Sequence, residues 1–131
     1  MIIMPRALLI IKNDSERRVA YCIKHWLLYK GVEVIEIHYK GEATLTDLPS
    51  ESDILVIDSV ELLKELSLKS SIIVVYSGKH RDDVPVSFDE DIIVLHRRSG
   101  LYMLFRILEH YMDKKGLLLH TPVLREEPKP P

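Results

Sequence analysis

The stretch Asp53-Ile54-Leu55-Val56-Ile57-Asp58-Ser59 sets an unbroken run of branched apolar residues directly against a carboxylate and a hydroxyl. Three further runs have the same form. Ala7–Ile11 ends in Lys12-Asn13-Asp14, Ile72–Val75 leads through Tyr76 into Ser77-Gly78-Lys79-His80, and Ile92–Leu95 ends in His96-Arg97-Arg98-Ser99. Continuous apolar runs of this length suit strands buried on both faces, as in a parallel sheet covered by helices. In open sheets of that kind ligands bind at the carboxyl ends of the strands. The polar endings are therefore expected to converge on one rim.

Working outward, the segments between the runs supply the other elements. From Ser15 to Lys30, the residues Val19, Cys22, Ile23, Trp26 and Leu27 fall on one side at helical spacing, which puts Cys22 in the core. Asn13 and Glu16 have capping-box spacing, and Gly31 stands where a helix ends. A further strand, Val32–Ile37, is interrupted by Glu33 and Glu36, as suits an edge position. The polar stretch His38–Asp53 holds at most one helical turn, about Ala43–Leu48. Val60–Leu68 reads as a short helix. Gly78–Asp91 has no helical period and contains Pro85, so it reads as a loop or extended segment. Ser99 is placed to cap a last helix, Gly100–Lys115, which Gly116 stops.

This order of elements predicts a single three-layer α/β domain with a five-stranded parallel sheet ordered 2-1-3-4-5. The first and last helices would share one face. The other face would carry only a thin helical layer. Residues 1–120 form the expected domain, and the Pro-rich, charged segment 121–131 reads as a disordered tail.

Composition narrows the function classes. The chain has 131 residues, 47% apolar and 29% charged, which describes one globular domain. The formal net charge of −2 argues against bulk electrostatic binding of nucleic acid, although a local basic rim exists at Lys79–Arg81 and His96–Arg98. The single cysteine forms no internal disulfide, so a reduced, cytoplasmic setting is expected. No apolar stretch reaches the roughly 20 residues that cross a bilayer.

Across residues 6–115 the layout resembles a response-regulator receiver domain, with its flavodoxin-like fold. "RALLIIKND" looks like a receiver's first strand and its acidic ending, "KGVEVIEI" like the end of its first helix and its second strand, "SDILVIDS" like the strand ending in the phosphoacceptor aspartate, and "SIIVVYSG" like the strand ending in a hydroxyl residue. The resemblance implies Asp58 as phosphoacceptor, Asp14 with Asp58 as ligands of Mg, and Ser77 as the hydroxyl that senses the phosphoryl group. The chain departs from the family pattern in three places, one of them the connection Gly78–Asp91, where receivers have a fourth helix. Asn13, after Lys12, stands beside Asp14 where receivers have an acidic pair, and His96 or Arg97 stands nearest the position of the family's lysine. Lys12 opposes a cation and favours an anion.

The residues also have plainer readings. Asp14 is placed to cap the first helix, and Asp58, with Glu61 three residues on, to cap the short one. His96, Arg97, Arg98 and Ser99, with Lys79, form a candidate site for an anion or nucleotide ahead of a helix N-terminus. The plainer reading is of strand-end charges that pair with Asp82, Asp83, Glu90 and Asp91, and it is favoured because no glycine-rich phosphate loop accompanies the cluster. In the last helix, Leu101, Leu104, Phe105, Leu108 and Met112 are placed for the core. Tyr102, Met103, Ile107 and Tyr111 remain as a second apolar set, which either forms an interface or is covered by Leu117–Leu119 and Val123. The leading expectation is a non-catalytic, receiver-like module that acts by protein–protein contact, as a homodimer or with another protein, and needs no cofactor. The alternatives are an active phosphoacceptor using Asp58 with Mg, and an anion- or nucleotide-binding protein.

Overall fold

The structure, a computed structural model, describes residues 4–13, 17–41, 48–49, 51–66, 68–77, 86–89, 92–96 and 100–118. In chain order the elements are β1 (Arg6–Ile11), α1 (Arg17–Tyr29), β2 (Glu33–His38), β3 (Glu51–Ile57), α2 (Val60–Glu65), β4 (Lys69–Ser77), β5 (Val86–Asp89), β6 (Ile92–His96) and α3 (Gly100–Lys114). The strands form one sheet in the order β2-β1-β3-β4-β6-β5. Five of them, β2, β1, β3, β4 and β6, run parallel and have the expected 2-1-3-4-5 arrangement. The addition is β5, which lies in the stretch read as a loop or extended segment. It pairs antiparallel with β6 and closes that edge. Four residues are too few to register against the helical and apolar patterns that reveal longer elements.

Strand alternation divides the core into two layers. Ala7, Leu9 and Ile11 of β1 face α1 and α3, together with Ile54, Val56, Ile72, Val74 and Ile93. Leu8 and Ile10 face the other way, with Leu55, Ile57 and Val75, against Leu62 of α2. The central strands are thus apolar on both sides because both sides are covered. Among the described residues the second layer is thin: one six-residue helix, helped by half-buried Tyr39, Leu48, Leu66 and Leu68.

The first layer is built on two helices that meet edge to edge. α1 buries Ala20, Ile23 and Leu27, and α3 buries Leu104, Leu108 and Met112. Between them the rings of Trp26 and Phe105 stack at 4.7 Å, and Lys30 Nζ reaches Glu109 Oε2 at 2.6 Å. Both helices end in the same way. At α1, Gly31 takes φ +85°, its N–H donates to Leu28 O, and Val32 N donates to Leu27 O. At α3, Gly116 takes φ +73°, its N–H donates to Asp113 O, and Leu117 N donates to Met112 O. Each is a Schellman stop, in which glycine supplies the left-handed residue and the next apolar residue turns back onto the core. Cys22 is a correction. The helix buries Ala20 instead, and Cys22 is exposed.

Candidate functional site

The parallel register brings the predicted rim together. Ile11 of β1 is level with His38 of β2, Ile10 with Ile57 of β3, Ile57 with Val75 of β4, and Ser77 with His96 of β6. Lys12–Asn13, Asp58, Ser77 and His96 thus leave the sheet at one end. For Ser77 and His96 the backbone alone is described. Asp14, Lys79, Arg97, Arg98 and Ser99 lie outside the described residues, as do the expected turn at 43–47 and the tail from residue 119.

Asp58 is the centre of what is described. It is buried, and its carboxylate faces the end of β1. Lys12 N donates to Oδ1 at 2.9 Å and to Oδ2 at 3.1 Å, and Asn13 N donates to Oδ2 at 2.8 Å. The Asn13 side-chain amide returns a bond to Asp58 O at 3.4 Å. The space beside the aspartate, lined by apolar residues such as Val19, Ile23 and Tyr76, is about 10 Å³. That is no more than the least room a water molecule needs. Asp58 does not cap α2. Ser59 does: its Oγ accepts from Leu62 N at 3.1 Å and donates to Glu61 Oε1 at 3.2 Å. The capping-box spacing from Asp58 was one residue out of step, because the strand runs its full length to Ile57 and leaves Asp58 turned toward β1.

A groove of about 560 Å³ lies at the opposite, amino-terminal rim, which the sequence reading passed over. There Arg6 N donates to Asp53 Oδ2 at 2.8 Å, Arg6 Nε pairs with Glu33 at 3.2 Å, and the Ser52 and Ser70 hydroxyls meet at 2.7 Å. The signal was present in the polar residues that precede each apolar run, Arg6, Ser52-Asp53 and Ser70-Ser71. Arg6, Glu33, Asp53, Ser52 and Ser70 of its lining are thus engaged with one another.

The second apolar set of α3 divides. Ile107 and Tyr111 are half-buried against the core, as are Leu117 and Leu118 of the following turn. Tyr102, at 73% exposure, and Met103, at 44%, point outward. Arg106 Nη1 donates to the Tyr102 hydroxyl at 3.1 Å, and Arg106 Cζ lies 5.6 Å from the centre of its ring. A groove of about 580 Å³ runs along this side, lined by Tyr102, Arg106, Glu109, His110, Asp113 and Leu118. On the edge strand, Glu36 joins β2 to α1. Its carboxylate meets His38 Nε2 at 2.6 Å and Lys24 Nζ at 3.4 Å, and the His38 contact above all holds its pKa below the ordinary value.

No family model, curated protein or solved structure matches this chain. Among the described residues no group of three or more His, Cys, Asp or Glu is placed to hold a metal ion, and no helix is long and apolar enough to cross a membrane.

Proposed function

We propose that this chain is a non-catalytic, receiver-like module that acts by contact, as a homodimer docked through the outward side of α3. The observation that carries the reading is the engagement of Asp58. A phosphoacceptor must present a carboxylate oxygen to the donor, with a cation held by several oxygen ligands beside it. Here Oδ2 accepts two main-chain amides and Oδ1 accepts one. A phosphoryl group on either oxygen would cost amide bonds that close the β1 end. The rim aspartate then serves the fold, and recognition passes to the exposed aromatic side of α3. Tyr, Met and Arg, the types found there, are enriched in protein interfaces.

Incubation with a small acyl phosphate and magnesium, read by intact mass, tests the non-catalytic half. The expected result is an unmodified chain. A phosphoryl adduct that disappears in Asp58→Asn would restore the phosphoacceptor reading.

A further inference from the structure

The outward side of α3 carries a charge pattern that is complementary to itself. Tyr102, Arg106, Glu109 and Asp113 recur at spacings of four and three, so they form one stripe along the helix, with His110 beside it. Within the stripe the positive Arg106 precedes the negative Asp113, and Glu109 between them is already paired with Lys30 of its own chain. A second copy laid antiparallel reverses that order. When a two-fold axis passes between Glu109 and His110, Arg106 of one protomer comes level with Asp113 of its partner, and Glu109 with His110. Tyr102 comes level with Leu117. Met103 comes level with Gly116, where the added Cβ of any larger residue would find nothing within 4 Å, so the Met side chain has open space to enter.

The Arg106–Asp113 pair is opposite in charge, and a two-fold axis makes that contact twice. A parallel arrangement would set Arg106 against Arg106 and Asp113 against Asp113.

We propose, resting on the homodimer reading above, that two copies of the chain pair antiparallel through α3 about an axis at Glu109–His110, with Arg106 facing Asp113 across the interface. The helix is about 22 Å long at 1.5 Å per residue. It offers less than the ~800 Å² per partner of a standard stable interface. The dimer is therefore in exchange with monomer, and its strength depends on the charge pairs and on salt.

A charge exchange tests the register. Arg106→Asp and Asp113→Arg, singly, each put like charges together twice per dimer, and each is expected to weaken association by roughly tenfold or more. The double variant R106D/D113R exchanges the partners and is expected to recover most of the wild-type affinity. Association is read by sedimentation equilibrium, with circular dichroism confirming that each variant keeps its fold. Recovery in the double variant supports the register. A wild-type dimer that ignores both single exchanges overturns the register and leaves the homodimer reading standing. A wild-type chain that stays monomeric at every concentration overturns both.

Discussion

Asp53 and Asp58, at the two ends of the buried run of β3, hold the two ends of β1. Asp53 Oδ2 accepts Arg6 N at 2.8 Å where β1 begins, and Asp58 accepts Lys12 N and Asn13 N where it ends. Between them the two strands pair from Ala7–Ile54 to Ile10–Ile57. The side chains thus extend the ladder past the last backbone pair at each end. They satisfy amides that would otherwise lack a partner at the sheet's limit.

The two ends differ in burial, and stability should differ with them. Hydrogen bonds to a charged acceptor contribute about 1.5–3 kcal/mol, and leaving a buried donor unmet costs about as much. Asp58→Ala is expected to destabilise the fold by about 3 kcal/mol. Asp53→Ala, at the more open rim, should cost about 1 kcal/mol. Urea unfolding of the two variants measures this. An Asp58→Ala variant as stable as wild type would contradict the structural role.

The Glu36 contact gives a pH dependence of definite sign. Its folded-state pKa lies below the ordinary value of 4.5, held there chiefly by His38, with Lys24 adding to it. The carboxylate therefore adds stability that is fully present above pH 4.5 and is lost as pH falls through the lower folded value. The gap between the melting temperatures of wild type and Glu36→Gln should shrink as pH falls from about 5 through the lowered folded value. A gap that widens on acidification would contradict the assignment.

Gly31 and Gly116 both sit at positive φ, where a Cβ costs about 1–2 kcal/mol. Alanine at either should lower stability by about 1 kcal/mol. The two costs should add, because the stops belong to separate helices. Thermal unfolding of both single variants and the double variant measures the sum.

The stacked rings of Trp26 and Phe105 link α1 and α3 directly, beside the Lys30–Glu109 ion pair. A double-mutant cycle with Trp26→Leu and Phe105→Leu should return a coupling of about 1 kcal/mol beyond the burial each ring contributes alone. Strict additivity would mean that the ring stack adds nothing beyond the burial of each ring.

The parallel sheet was legible because its signal is redundant. Each of the four runs is apolar on both alternating faces, and Val32–Ile37, with Glu33 and Glu36, reads as the edge it is. The helix ends were legible at Gly31 and Gly116, since few residues other than glycine accept that backbone. Local ambiguity hid the rest. The capping-box spacing from Asp58 to Glu61 misled because Ser59, one position on, can do the same work, and only the strand's length decides between them. Helical spacing placed Cys22 with the core set, and the approach of α1 to the sheet selected Ala20 instead. Ile107 and Tyr111 turned inward because α3 sits deep enough for its flank to touch the core. The amino-terminal groove went unread because the rule for parallel sheets directs attention to the other rim.

Light scattering of the wild-type chain across a concentration series tests the contact-module account most directly. The account predicts a mass that rises with concentration from that of one chain toward that of two, and falls back as salt is added. A mass that stays at one chain throughout, in low and high salt alike, would contradict it.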